Sequence, residues 1–186
     1  MPSPAALKGK GRIRALVHRG VGSGKRRADS PGAFKDPTVC ERCGAIYSRK
    51  TWRRRRRVGQ AFFARAAWAV CPACLQVERG QFFGRVIVRG AFADAHEEAI
   101  LRRIRNVADR ARFTQPERRI VDIRFDGQSL QVLTNSQQLA HRIAHELQKA
   151  FGGRANYVWS DWDGRLLATW ERHDAGAGRS GARERA

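Results

Sequence analysis

Two C-x-x-C turns, Cys40-Glu41-Arg42-Cys43 and Cys71-Pro72-Ala73-Cys74, use all four cysteines of this chain and limit what it can fold into more than any other feature. Two residues between cysteines make a turn tight enough for both sulfurs to approach one ion. Backbone N–H groups in such a turn can hydrogen-bond to the sulfurs and offset their charge. Gly44, just after the first pair, suits the left-handed backbone that closes a knuckle. Four thiolates complete a tetrahedral shell, so the pattern points to one structural Zn2+ held by Cys40, Cys43, Cys71 and Cys74. A closed shell leaves no position for water or substrate, which argues against metal catalysis and for a chain that is not an enzyme. A redox dithiol is the rival, but it normally uses one pair within a βαβ pattern and leaves the second pair unexplained. The 27 residues between Cys43 and Cys71 exceed the usual ~15–20. A zinc ribbon accommodates such an insertion as a hairpin emerging from the knuckles.

That insertion contains Lys50-Thr51-Trp52-Arg53-Arg54-Arg55-Arg56-Arg57. Five consecutive arginines repel one another, and no acidic stretch of the chain matches them. The planar guanidinium bonds two phosphate oxygens at once and stacks on bases, so the run points to nucleic acid. Trp52, Phe62, Phe63 and Trp68 flank it, and stacking a base on an aromatic ring is worth ~1–3 kcal/mol. Phe63 and Trp68 are expected to pack the small core of the ribbon. Lys50, Trp52, Arg53, Arg54, Arg55, Arg56, Arg57 and Phe62 remain as the candidate RNA-contacting set. A solvated loop indifferent to RNA is the alternative for the arginines.

The formal net charge of the 186 residues is +20, and fifteen of those charges fall within the first 80 residues. Such a surplus points to a polyanionic partner, although a preference for Arg codons would contribute to it. No apolar run approaches the ~20 residues that span a bilayer, which excludes a helical membrane span. The first 35 residues are basic and Gly-rich, without the apolar centre of a secretory signal. Cysteines confined to C-x-x-C pairs fit a reducing, cytoplasmic setting. Residues 1–36 have little periodic apolar pattern and are expected to form a disordered basic arm, with the zinc ribbon over 37–80. The segment from about His173 to Ala186 is expected to be a disordered tail.

Residues 81–172 carry regular patterning. Arg85–Arg89 reads as a strand. Asp94 is expected to open a helix with Glu97 as its capping-box partner, and Ile100, Ile104, Val107, Ala108 and Ala111 make its apolar stripe. Pro116 stops that helix. Val121, Ile123 and Phe125 alternate as the inward side of a strand, and Asp126-Gly127 supplies a two-residue hairpin turn to Leu130 and Val132. Asn135 or Ser136 caps a helix buried through Leu139, Ala140, Ile143, Ala144 and Leu147, and Gly152-Gly153 ends it. Tyr157 and Trp159 lead to a second Asp-Gly turn at Asp163-Gly164, and Leu166, Ala168 and Trp170 alternate beyond it. The class is α+β: a four-cysteine zinc ribbon followed by a β-α-β-β-α-β-β domain of the ferredoxin-like, split βαβ type with an extra C-terminal strand.

Three weaker signals are set aside. Gly20-Val21-Gly22-Ser23-Gly24-Lys25 resembles a phosphate-binding loop, but Arg stands at 19 and 26 where Gly and Ser or Thr are needed. His141 and His145, one helical turn apart, lie opposite the buried stripe and are expected to face solvent. Gln81-Phe82-Phe83-Gly84 only faintly resembles an RNA-recognition strand and precedes the first strand.

Cys40-x-x-Cys43-Gly44, Cys71-Pro72-Ala73-Cys74 and the stretch from Asp126-Gly127 through Leu133, Ser136, Ala140, Ile143, Ala144 and Leu147 to Phe151-Gly152-Gly153 together resemble a small bacterial family of zinc-ribbon proteins. That family is similar to the N-terminal part of the large-ribosomal-subunit export adaptor, the nonsense-mediated-decay-three family. This chain has one set of four cysteines where the adaptor has more, and it is expected to lack the adaptor's later domains and export signals. The resemblance therefore implies contact with rRNA or the ribosome, not subunit export. The expected function is a non-enzymatic RNA-binding protein that is ribosome-associated, with no small-molecule substrate. The alternative is a protein-interaction or stress-regulatory adaptor whose charge serves an acidic protein partner.

Overall fold

A computed structural model describes residues 34–54, 58–127 and 129–172. Most of the expected basic arm (1–33), Arg55, Arg56 and Arg57, the Gly20–Lys25 segment and the tail from His173 lie outside the described residues. The described residues form a mixed α+β structure with two sheets and five helices.

The first sheet has four short strands, β1 (Thr38–Cys40), β2 (Ile46–Ser48), β3 (Thr51–Arg53) and β4 (Ala67–Ala69), in the order β3-β2-β1-β4. β1, β2 and β3 are antiparallel neighbours, while β4 runs parallel to β1. Arg49 and Lys50, both with positive φ (51° and 61°), turn the chain between β2 and β3. Two positive φ angles in succession match the right-handed twist of a two-residue hairpin. The Asp36 carboxylate accepts the Arg49 N–H at 2.7 Å and holds that turn. Phe34 packs against Tyr47 and Trp52, with centroids 5.3 and 5.0 Å away. Phe34 and Asp36, expected in the disordered arm, therefore contribute contacts to the ribbon. Helix α1 (Gln60–Phe63) precedes β4, and α2 (Pro72–Glu78) starts inside the second knuckle.

The second sheet has five strands, β5 (Gly84–Arg89), β6 (Ile120–Phe125), β7 (Leu130–Thr134), β8 (Arg154–Trp159) and β9 (Leu166–Glu171). Their order is β6-β7-β5-β9-β8. A split βαβ sheet would pair β5 directly with β8. Here β9 enters between them, parallel to β5 and antiparallel to β8. Burial explains the choice, because Leu166, Ala168 and Trp170 on β9 are all but inaccessible, whereas Val158 and Trp159 on β8 stay exposed. The strand with the fuller apolar face takes the interior position and leaves the other at the edge.

Helices α3 (Ala91–Ala95) and α4 (Glu97–Thr114) follow β5, and α5 (Gln137–Phe151) follows β7. Ile100, Ile104, Val107 and Ala111 from α4 and Leu139, Ala140, Ile143, Ala144 and Leu147 from α5 join Val86, Val88, Val132, Leu166, Ala168 and Trp170 in one core. The helix expected to open at Asp94 in fact begins at Ala91, and Asp94 caps nothing. Phe92 is responsible, because burial of its ring draws the turn forward. His96 then stacks on that ring at 4.0 Å, approaches the Phe92 carbonyl through Nδ1 at 3.0 Å, and breaks the helix before Glu97. Ala108, expected in the buried stripe, is only half-buried.

On β6 the expected alternation slips. A register irregularity between Ile120 and Asp122 lets Ile120 and Ile123, three residues apart, both pack on the core, while Phe125 is exposed. A bulge shifts the alternation by one residue, so Ile120 rather than Val121 shares the inward face with Ile123, and Phe125 keeps that face but is exposed at the end of the strand. Both Asp-Gly hairpin turns are longer than two residues: Phe125 pairs with Leu130, and Trp159 with Leu166. Ser136 is the cap of α5, accepting the Leu139 N–H, and Gly152 ends the helix at φ 71°.

Candidate metal centre

Each knuckle is set by the local chain. Cys40 ends β1, and the turn to Ala45 is closed by the Cys40 N–H bonding the Ala45 carbonyl at 2.8 Å and the Gly44 N–H bonding the Cys40 carbonyl at 2.9 Å. Gly44 takes φ 67°, where a side chain would be strained. In the second knuckle Cys71 precedes α2 with Pro72 at its first position, and the Cys74 N–H bonds the Cys71 carbonyl at 3.0 Å. β1 and β4 run side by side, with Cys40 opposite Ala69, which brings the two knuckles together.

The four sulfurs lie within 4.8 Å of one another. Cys40 Sγ and Cys74 Sγ are 3.9 Å apart, and Cys43 Sγ and Cys71 Sγ are 3.8 Å apart. A tetrahedron with metal–sulfur bonds of ~2.3 Å has edges of about 3.8 Å, so the donors fit a single ion with four sulfur ligands. The separations are far from the ~2.05 Å of a disulfide. Cys40, Cys43 and Cys71 are buried, and Cys74 is half-buried.

Further groups surround the sulfurs. The Cys71 N–H donates to Cys40 Sγ at 3.3 Å. Without a cation the thiols do not share charge evenly. A hydrogen bond from Cys71 pulls the Cys43 pKa down, helped by the Ala45 N–H and the Arg119 guanidinium. The same bond to Cys43, with burial, pushes Cys71 up. Burial raises Cys74 to about 11. A divalent cation would replace the protons that now keep these sulfurs from ionising together, which makes metal affinity fall as pH falls. Arg119 belongs to the segment between α4 and β6 and donates through Nε to the Pro116 carbonyl at 2.6 Å, so a charge from outside the ribbon bears on Cys43. Sequence spacing gave no sign of that influence, since Arg119 lies 45 residues beyond the last cysteine.

The ribbon core around the site consists of Cys40, Cys43, Ala45, Cys71 and Ala73, with Trp52 and Cys74 packed beside it. Of the expected RNA-contacting residues, Lys50, Arg53 and Arg54 are exposed on or beside the β2–β3 hairpin. None of the three has an ion pair within 4.0 Å among the described residues. Trp52 is half-buried and packs on Phe34 and Tyr47, with the Tyr47 centroid at 5.4 Å. Phe62 is half-buried and meets Phe63 edge-on at 5.9 Å. Phe63 and Trp68, expected in the ribbon core, are instead exposed and stack on each other at 6.3 Å. The reason is β4, a three-residue edge strand whose central Trp68 turns outward, so that only its flanking alanines face inward.

His141 and His145 are exposed, and His141 stacks on Tyr157 at 4.4 Å. No helix of the described residues is long and apolar enough to cross a membrane. No family model, no curated protein and no solved structure matches this chain.

Proposed function

We propose that this chain is a non-enzymatic zinc-ribbon RNA-binding protein that acts in the cytoplasm in association with rRNA or the ribosome. The carrying observation is the β2–β3 hairpin: it springs from the first knuckle and holds Lys50, Arg53 and Arg54 in solvent, without a carboxylate partner among the described residues. Arg55, Arg56 and Arg57 extend the same run in sequence. An all-sulfur tetrahedral set favours Zn2+ over harder cations, and its closed shell supports a structural rather than a catalytic ion. The likeness of the knuckles and the hairpin–helix–Gly segment to the ribosomal-subunit adaptor favours an RNA partner. The second sheet is taken as a split βαβ domain with β9 inserted.

Sedimentation of the native protein through a density gradient, with and without ribonuclease, tests this. Co-migration with a ribosomal subunit that ribonuclease abolishes is the expected result. Neutralising Arg53–Arg57 together should weaken binding to every RNA sequence and flatten its salt dependence, because phosphate contacts carry no sequence information. Protein that stays at the top of both gradients would remove the ribosomal assignment. One observation favours a protein partner as the second possibility. Val158, Trp159 and the almost fully exposed Trp162 cluster on edge strand β8 and its following loop. Exposed apolar side chains beside an unpaired edge suit a protein contact, and binding that survives nuclease would select it.

A further inference from the structure

A cavity of about 510 Å³ lies between the second knuckle and the α4–β6 corner, lined by Arg42, Arg105, Arg112, Arg118 and Arg119. Only two carboxylates, Glu78 and Asp109, share its wall. Glu78 is committed to Arg42 at 3.0 Å. Among the described residues, Arg105, Arg112, Arg118 and Arg119 have no ion pair within 4.0 Å, and neither has Asp109. Arg112 Nε and one terminal nitrogen of Arg119 are buried and lack any hydrogen-bond partner. Guanidinium N–H groups withdrawn from water and left unpaired are costly. With Glu78 offsetting Arg42 and Asp109 the one other carboxylate of the wall, the cavity keeps a positive surplus that an anion would reduce.

We propose that this cleft binds a phosphate group, through guanidinium forks contributed by both domains. Arg105 and Arg112 stand two turns apart on one face of α4, with Asp109 between them. Arg118 and Arg119 come from the corner before β6, and Arg42 comes from inside the first knuckle. Guanidinium groups brought to one cleft from three segments suit the several oxygens of a phosphate better than a point-like ligand. Cys74, Val77, Ala108 and Ile120 supply the remaining wall, so an ion that fixed the knuckles would also fix where Arg42 stands. The site is separate from the hairpin arginines. It rests on the RNA-binding proposal only for the view that the phosphate belongs to an RNA backbone rather than to a free phosphate ester.

Titration of the metal-loaded full chain with inorganic pyrophosphate, followed by calorimetry and by the arginine Nε–H resonances, tests the site. The Arg105, Arg112 and Arg119 signals should shift, and Arg105→Gln with Arg112→Gln should weaken pyrophosphate roughly ten-fold for each fork removed. Arg118→Gln, in a loop, provides an independent variant should the helix pair lose its fold. Arg89→Gln, on β5 and paired with Glu171 at 3.1 Å, should change nothing. A labelled oligouridylate then separates the sources. If the double variant also loses oligonucleotide affinity, the phosphate is that of RNA. If pyrophosphate binds but oligonucleotide affinity is unchanged, the site takes a free phosphate ester. Cleft resonances unmoved by pyrophosphate, with equal heats for wild type and variants, would overturn the site. The RNA proposal would still stand if neutralising Arg53–Arg57 abolished oligonucleotide binding.

Discussion

Replacing Cys71 by Ser should unfold the ribbon and leave the larger domain standing. Apart from the cysteines, the buried core around the sulfurs contains Ala45 and Ala73 among the described residues, with the half-buried Trp52 packed beside it. Val39 and Ile46 are also buried, and each contributes about 1.5–3 kcal/mol. Ordering the backbone costs ~1–2 kcal/mol per residue, so a module of this length cannot fold on that burial alone. A structural zinc contributes ~10–16 kcal/mol in comparable small modules, and losing one thiolate forfeits most of it. The larger domain has its own core of eighteen buried residues, none of them shared with the ribbon. What it loses is the cover of α2 against β6 and the bond from Asn135 Nδ2 to Gln76 Oε1 at 2.8 Å. Asn135 keeps the Glu117 carbonyl at 2.8 Å and the Arg119 N–H at 2.7 Å. The lost bond is worth about 1 kcal/mol, or ~4–8 °C in Tm for a domain of this size. Circular dichroism melts of the full-length variant, with metal content measured alongside, should show a metal-free protein that keeps one cooperative transition slightly lowered. Hydrogen exchange should still protect the α4 and α5 amides. Loss of all cooperative unfolding together with the metal would refute the claim that the cores are independent.

Two further outcomes follow from single residues. Gly84→Ala places a Cβ 2.5 Å from Ala140 Cβ, 2.6 Å from Thr134 Oγ1 and 2.9 Å from the Ser136 carbonyl. Chemical denaturation should report a loss of about 1–3 kcal/mol, typical of overpacking, and a neutral result would mean that α5 can lift off β5. The Tyr157 hydroxyl is buried without a hydrogen-bond partner, and burial raises its pKa above the ordinary 10.0. A raised folded-state pKa favours the neutral phenol, so its stabilisation is complete below pH 10.0 and fades as pH climbs through the higher folded value. In Tyr47→Phe, where Tyr157 is the remaining tyrosine, ultraviolet titration should show ionisation above pH 10.0 that moves back on unfolding.

Period and punctuation made much of the larger domain legible. The stripe of Leu139, Ile143 and Leu147 was visible because a helix repeats its buried face every three or four residues, and Ser136 and Gly152 marked its ends. The start of α3 was not visible. Asp94 and Glu97 offered a well-formed capping box, but that local preference yielded to burial of Phe92, which no pattern near it announces. The same holds for β6, where strict alternation at Val121, Ile123 and Phe125 concealed a bulge. A bulge is a property of two paired strands and leaves no mark in either one alone. Strand order was illegible for a related reason. The apolar face of β9 shows that it is buried, but not that it lies between β5 and β8.

The clustering of the four sulfurs could be read because both knuckles are local: two residues of spacing bring each pair of sulfurs together, and only the meeting of the pairs depends on the fold. The arginine cleft is the opposite case. Arg42, Arg105, Arg112, Arg118 and Arg119 come from a knuckle, a helix and a corner, and nothing in their spacing distinguishes them from the chain's other arginines. In a chain this rich in arginine, charge alone cannot mark a site, because most guanidinium groups are simply solvated. Withdrawal from water is what marks one, and only packing decides it. The long run at Arg53–Arg57 is the conspicuous signal in sequence, yet Arg53 and Arg54 stand in solvent, where phosphate contacts are screened by salt and indifferent to sequence. Arg112 and Arg119 are half-buried beside the cleft, where salt would screen a bound anion less than at the hairpin. If the chain distinguishes one phosphate-bearing partner from another, the discrimination should therefore originate at the arginine cleft, and the hairpin should govern only the rate and salt dependence of encounter.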